Sequence, residues 1–474
     1  MTGRNTVPPS RSRSAVTRTR GLRADPRAQI LFLAVAVALA LALPPCTAFA
    51  QVWPERELVP EPDYPDVTVT ADWLARRLDT RDVVIIDARP AALYLTGHVP
   101  GAISFPPELA PDVESPTELD RLPDILGGLG LSGRERLVCC GEVSYSGEAA
   151  WLFWLLEAAG ARRVAVLDGG VVGWRAAGRE LASGDVRRPR ATWTREPDSE
   201  VLATREFVRR SFGEPGVEII DARGPDAWRG HIEREDWGTL TRVGHVPHAL
   251  PFDFTTFFAP DGTFLKPPET WSSFSKLGPR PANPIDLTDE FVIHGWGRGS
   301  DTHSGRRGED AWGDGPLGYF LLRRAGIARV RLYPGGWRDW AGDPYLPIVR
   351  TVTAEELEHR LGKSRHWLRP DAPPRHFAFF DVRHPADHAR GHIGGAASLR
   401  SDYFADSLDV RLEKYWPELD RASTPVVTYC YGEHCIRSRA TSTAAARAGF
   451  VYVERFYGGL DEWRSLRGKL VESQ

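Results

Sequence analysis

Val83-Val84-Ile85-Ile86-Asp87-Ala88-Arg89 reads as a short buried strand that ends on an aspartate, with an arginine two positions on. The pattern returns as Val217-Glu218-Ile219-Ile220-Asp221-Ala222-Arg223 and as Phe377-Ala378-Phe379-Phe380-Asp381-Val382-Arg383. Runs this rich in β-branched and aromatic residues, polar mainly at the end, fit strands covered on both faces of a parallel sheet. Downstream of each lies a second landmark: Gly97-His98-Val99-Pro100-Gly101-Ala102, Gly244-His245-Val246-Pro247-His248-Ala249 and Gly391-His392-Ile393-Gly394-Gly395-Ala396. A third landmark closes each unit: Gly169-Gly170 with Trp174, Gly335-Gly336 with Trp340, and Gly458-Gly459 with Trp463.

Ahead of each Gly-Gly pair the sequence predicts a strand, at Val164–Leu167, Val330–Tyr333 and Val451–Phe456. Ahead of each strand it predicts a helix, at Gly147–Gly160, Pro316–Gly326 and Arg439–Gly449, ending on a glycine suited to a helix C-terminus. Alternating strands and helices with Gly-rich turns predict an α/β fold with a mostly parallel sheet in each unit. Pro/Arg-rich joints at Ser183–Arg195 and Asp343–Thr353 divide the repeats. The expected domains are 66–184, 200–348 and 351–472.

The 474 residues are 42% hydrophobic and 26% charged, with a net charge of −3. That is material for several cores, and no global field points to a nucleic-acid partner. Arg11, Arg13, Arg18, Arg20 and Arg23 precede an apolar run from Ile30 to Leu43, and Ala48-Phe49-Ala50 has the form of a cleavage site. The run is short for a membrane span. Residues 1–50 are therefore expected to be a signal peptide cleaved after Ala50, with an uncleaved membrane anchor as the alternative. The mature chain is expected in the periplasm or outside the cell, free of the membrane. Cys46 would leave with the signal, and Cys139, Cys140, Cys430 and Cys435 would remain, too few for a disulfide scaffold.

Asp-x-Arg, then Gly-His-[Val/Ile]-x-x-Ala, then a loop before a helix, then Gly-Gly-x-x-x-Trp, resembles the rhodanese (sulfurtransferase) family. The likeness spans Val67–Leu181, Leu202–Leu346 and Thr351–Val471. It implies three tandem rhodanese-like domains and the movement of sulfane sulfur from thiosulfate or a persulfide, through a cysteine persulfide, to a thiol or cyanide-like acceptor. It implies no cofactor. A thiolate is the nucleophile in such chemistry. In the family the cysteine ends a strand, and loop N–H groups and a helix N-terminus point at its sulfur.

In the third unit Val426–Tyr429 is the predicted strand, and Cys430 follows it. Tyr431-Gly432-Glu433-His434-Cys435-Ile436-Arg437-Ser438 comes next, resembling the family loop Cys-x-x-Gly-x-Arg-Ser but longer by two residues and holding a second cysteine. Cys430 is the expected nucleophile by its place after the strand, with Cys435 as the alternative near a helix start. Arg437, His434, Gly432 and Ser438 are the expected substrate-binding residues, Ser438 also as helix N-cap, and Arg439 is expected to add positive charge. In the first unit Cys140 falls at the expected catalytic position and ranks behind the other two. There Val143 and Tyr145 replace the family's Gly and Arg, and Glu142 disfavours a thiolate. The middle unit has His294-Gly295-Trp296 and no cysteine.

The aspartates Asp87, Asp221 and Asp381 and the histidines His98, His245 and His392 recur even where there is no cysteine, which assigns them to the fold. Two alternatives stand beside sulfur transfer: thiol–disulfide redox chemistry by Cys430 and Cys435, and a catalytically silent binding scaffold. His434, Cys430 and Cys435 fall short of the four well-spaced ligands of a metal site.

Overall fold

The computed structural model describes residues 67–470, apart from 107–108, 110, 112, 232–241, 261, 265–285, 287, 298–313, 364–376, 400–415, 418, 433–434 and 467–469. The expected signal segment lies outside the described residues, as does most of the middle unit's chain between Trp296 and its main helix.

Three parallel sheets follow one another along the chain. The first holds β1 (Thr68–Val69), β2 (Val83–Asp87), β3 (Ile103–Ser104), β4 (Arg136–Cys140) and β5 (Val164–Leu167), in the order β1-β5-β4-β2-β3. The middle sheet holds β6 (Val217–Asp221), β7 (Leu250–Pro251), β8 (Glu290–His294) and β9 (Val330–Tyr333), in the order β7-β6-β8-β9. The third holds β10 (Ile348–Val352), β11 (Ala378–Asp381), β12 (Ala397–Ser398), β13 (Val426–Tyr429) and β14 (Tyr452–Phe456), in the order β10-β14-β13-β11-β12. The middle order is that of its neighbours without the first edge strand, whose place is marked by a single parallel bridge from Leu202 to Leu332.

The major helices precede the last strand of each sheet: α1 (Gly147–Ala158), α2 (Asp314–Arg324) and α3 (Ile436–Arg447). Helix α1 is buried along nearly its whole length. Its sequence, GEAAWLFWLLEA, is apolar on every face because one side covers its own sheet and another meets α2. Phe153 packs edge-on to Phe320 at 5.1 Å. Glu157, the polar residue near the end of α1, accepts from Tyr319 Oη at 2.6 Å and pairs with Arg323 at 3.1 Å.

The two expected joints are built into the fold. The segment after Gly184 lies along the first unit, with Ala191 N donating to Gly127 O and Trp193 Nε1 to Ala159 O, both at 2.9 Å. The second joint contains β10, which pairs with β14 and whose Val349 also bridges His245. Its buried, β-branched Ile348, Val349 and Val352 give it strand character that its Pro- and Arg-containing surroundings hide. The third sheet thus begins at Ile348, ahead of the expected boundary at 351.

Candidate functional site

Each sheet carries the same polar frame at the carboxyl end of its second strand. Arg89, Arg223 and Arg383 fork onto Asp87, Asp221 and Asp381, with Nη2–Oδ2 distances of 2.8, 2.6 and 2.6 Å. The same Nη2 donates to the carbonyl of Gly97, Gly244 and Gly391 at 2.7, 2.6 and 2.7 Å, which ties the strand end to the Gly-His turn. Burial alone would raise the Asp221 and Asp381 carboxyls, but the arginines hold both below the usual carboxylate range. His98, His245 and His392 place Nδ1 against the carbonyls of Tyr94, Trp228 and His388 at 3.0, 2.7 and 3.0 Å, and each stacks on that residue's ring. A ring nitrogen facing a carbonyl must donate, so these histidines lock the turn.

The frame also fixes which loop positions correspond. Asp87, Asp221 and Asp381 lie opposite Cys140, His294 and Tyr429 in the strand registers. The carbonyls of the next residues, Gly141, Gly295 and Cys430, accept from Val171 N, Trp337 N and Leu460 N at 3.0, 2.9 and 3.0 Å. Gly170, Gly336 and Gly459 make this approach with φ of 56°, 55° and 57°. A Cβ at any of the three would lie 2.6 Å from the Gly141, Gly295 or Cys430 carbonyl oxygen. The second glycine of each Gly-Gly pair is thus required twice, by conformation and by space.

This register corrects the reading of Cys140. It stands where Tyr429 stands in the third sheet, and Gly141 holds the position equivalent to Cys430. One residue of shift in a strand turns the side chain to the other face. Cys140 packs with Val69, Ile85 and Val138, fully buried. Burial, with Asp87 adding to it, pushes its thiol well above the ordinary range. Cys139 is likewise buried, on the opposite side. A cavity of about 770 Å³ does open by the first unit's loop, lined by Val143, Tyr145, Phe254 and Phe258, but neither thiol lines it. In the middle unit Trp296 follows the equivalent glycine, and the Arg223 guanidinium sits over its ring at 4.8 Å.

In the third unit Cys430 leaves β13 and is bonded to Cys435 across the loop, with the Cα atoms 6.2 Å apart. Cys435 is the N-cap of α3. The expected cap, Ser438, instead lies one turn inside the helix. Its Oγ donates to Cys435 O at 3.4 Å and accepts from Arg455 Nη2 at 3.2 Å. A cap must precede the first helical N–H groups, and the helix begins at Ile436, earlier than the sequence predicts. Gly432 accepts from Cys435 N at 3.0 Å. Arg437 is half-buried in the first turn. His434 lies outside the described residues. Arg439 does not serve the loop: it donates to His248 O at 2.6 Å and pairs with Glu218 at 3.1 Å, both in the middle unit.

Sequence reading missed Arg455, which is 4% exposed and has no ion-pair partner among the described residues. It lies opposite Thr428 in the register. The equivalent pairs are Cys139 with Val166 and Ile293 with Leu332, both apolar. Only the sheet with the Cys430–Cys435 loop buries a guanidinium here, beneath the first turn of α3. Lining up the three Gly-Gly elements would have revealed it, since Val166, Leu332 and Arg455 each stand three residues before the first glycine. Among the described residues no cluster of three or more His, Cys, Asp or Glu is arranged to hold a metal.

Comparison with known proteins bears on this geometry. The family model for the Rhodanese-like domain matches residues 70–177 and 353–466. The chain is 30% identical over 303 residues to a probable 3-mercaptopyruvate sulfurtransferase of Pseudomonas aeruginosa, spanning 59% of this chain and 97% of that protein. It is 28% identical over 282 residues to a thiosulfate sulfurtransferase of Azotobacter vinelandii, spanning 58% and 94%. Its fold is similar to that of an anaerobic ergothioneine biosynthesis enzyme from Chlorobium limicola, with a TM-score of 0.50, 19% identity and coverage of 60% and 70%.

Proposed function

The chain belongs to the rhodanese-like sulfurtransferase family, and from that premise we propose that its third unit moves sulfane sulfur through a persulfide on Cys430. The observation that carries this reading is the position of Cys430. It is the one loop position, among the three equivalent ones, that bears a thiol side chain instead of a glycine. Its partner Cys435 caps a helix N-terminus, and the buried Arg455 guanidinium donates to Ser438 in the first turn of that helix, a setting that favours an anion. Thiosulfate fits as donor: the Cys430 thiolate attacks its outer sulfur, sulfite leaves with the bonding electron pair, and Cys430 keeps the sulfur. The persulfide then passes that sulfur to a thiol or to cyanide.

The middle sheet, in this reading, is a third copy of the same unit that lost its cysteine. Its strand order, its Asp221–Arg223–Gly244 frame and the stacked His245 support that ancestry. We further propose that the protein works outside the cytoplasm, on the strength of the basic and apolar segment before Ala50. N-terminal sequencing of the protein from fractionated cells tests this, with Gln51 as the expected first residue.

The test of the activity is thiocyanate formation from thiosulfate and cyanide by the reduced protein. Cys430→Ser is expected to fall to the background rate. Undiminished activity in the Cys430→Ser/Cys435→Ser double variant would overturn the site.

A further inference from the structure

We propose that Cys435 is a resolving cysteine, so that the third unit also releases hydrosulfide from its own persulfide and turns over with an external dithiol. The inference rests on the sulfurtransferase reading of Cys430 and adds an acceptor that lies within the chain.

Three observations support it. The loop brings the sulfurs of Cys430 and Cys435 into bonding contact, and their Cα separation of 6.2 Å falls within the span that a disulfide bridges without moving the backbone, roughly 4.4–6.8 Å. Cys435 caps a helix of 12 residues, where the free N–H groups of the first turn favour a thiolate over a thiol. Cys430 is only 1% exposed against 7% for Cys435. Both cysteines are buried, and Cys435 already lies in bonding contact with Cys430, so its thiolate reaches the Cys430 sulfur without having to enter from solvent.

The steps balance. After sulfite has left, Cys430 carries one sulfane sulfur. The Cys435 thiolate attacks Cys430 Sγ, and the Cys430–Cys435 bond forms. The bond from Cys430 Sγ to the sulfane sulfur breaks, and its electron pair leaves with that sulfur, which takes up one proton to become hydrosulfide. The two cysteines are oxidised together by two electrons, and the sulfane sulfur is reduced by two. A dithiol then attacks Cys435 Sγ, becomes a disulfide itself and restores both thiols. The net reaction is thiosulfate plus dithiol to sulfite, hydrosulfide and oxidised dithiol. The first and middle units cannot take part, since their equivalent positions are Gly141 and Gly295.

The experiment is a single turnover with no external reductant. Full-length protein is reduced, freed of reductant and mixed with one equivalent of thiosulfate. Sulfite, sulfide and intact protein mass are then read. The expected result is one sulfide per protein and a protein lighter by two hydrogens. In Cys435→Ser the protein should gain one sulfur atom and release no sulfide until a dithiol is added. A wild-type protein that keeps the extra sulfur and releases no sulfide would overturn the resolving role while leaving Cys430 as the acceptor. A protein that releases no sulfite and keeps its mass would overturn the sulfurtransferase reading itself.

Discussion

Arg455 is charged in a place where its two counterparts, Val166 and Leu332, are apolar. Burial, reinforced by the nearby Arg439 and opposed by Tyr457, pulls its pKa down to about 10, which still leaves it protonated at neutral pH. A buried cation with one hydroxyl partner and an aromatic ring at 5.3 Å costs stability compared with a well-packed aliphatic side chain. Arg455→Leu, which installs the residue found in the middle unit, is thus expected to raise the unfolding free energy by about 1–2 kcal/mol in denaturant titrations of the reduced protein. Loss of a neighbouring positive charge should also raise the pH midpoint for alkylation of the loop thiols, by about one unit. The two effects point in opposite directions for a residue kept for chemistry. A less stable variant with an unchanged alkylation profile would assign Arg455 to packing alone.

The Gly-Gly element presses on the loop from the side opposite the helix, and its second glycine leaves no room for a methyl group. Gly459→Ala would place Cβ 2.6 Å from Cys430 O and 2.9 Å from Gly432 N, at a φ of 57°. A loss of about 1–3 kcal/mol is expected, with slower thiocyanate formation because the loop itself must shift. Gly170→Ala makes the same clash in the first unit and should cost similar stability, while the folded protein keeps its rate. Calorimetry beside the thiocyanate assay separates the two. These glycines, the Asp-x-Arg pairs and the histidine turns were legible in the sequence because one chain states them three times. The strand β10 was obscured because Pro347 and Arg350 make its surroundings look like a linker. The displacement of Cys140 was hidden because adjacent cysteines give no clue to which one ends the strand, and only pairing with Asp87 decides it. Arg455 was overlooked because a lone arginine in a strand ordinarily marks a solvent-facing position.

At the scale of the whole chain, the middle unit has no thiol in its loop but holds the third unit in place. Arg439 and Arg447 of α3 reach Glu218 and Glu214, Thr443 meets His248 Nδ1 at 3.3 Å, and Tyr457 packs edge-on to Trp228. Two histidines lie in this contact. Burial holds His245 down to about 3, with Arg455 and Arg223 adding to the effect and the Trp228 carbonyl and Asp221 opposing it. Burial also holds His248 well below its ordinary value, helped by Arg439, Arg455 and Arg447. A histidine depressed in the folded state takes up its proton only on unfolding. Its contribution is therefore complete above the unfolded pKa of about 6.5 and is lost as pH falls below it, by up to about 1.4 kcal/mol per pH unit for each such histidine. The aspartates Asp221 and Asp381 are also depressed, in favour of the charged form, and lose their contribution only below about pH 4. His294, beside Asp221, and His392 are held down by burial as well, so acid should weaken both the contact between the middle and third units and the frames themselves between about pH 6.5 and 4, before the aspartates are protonated. His248 has a φ of 71°, a conformation that asparagine tolerates. His248→Asn should then flatten the slope of stability against pH in that window by about 1.4 kcal/mol per unit. Equal slopes for the two proteins in denaturant titrations at pH 7, 6 and 5 would show that His248 is not one of the groups that drive the acid transition.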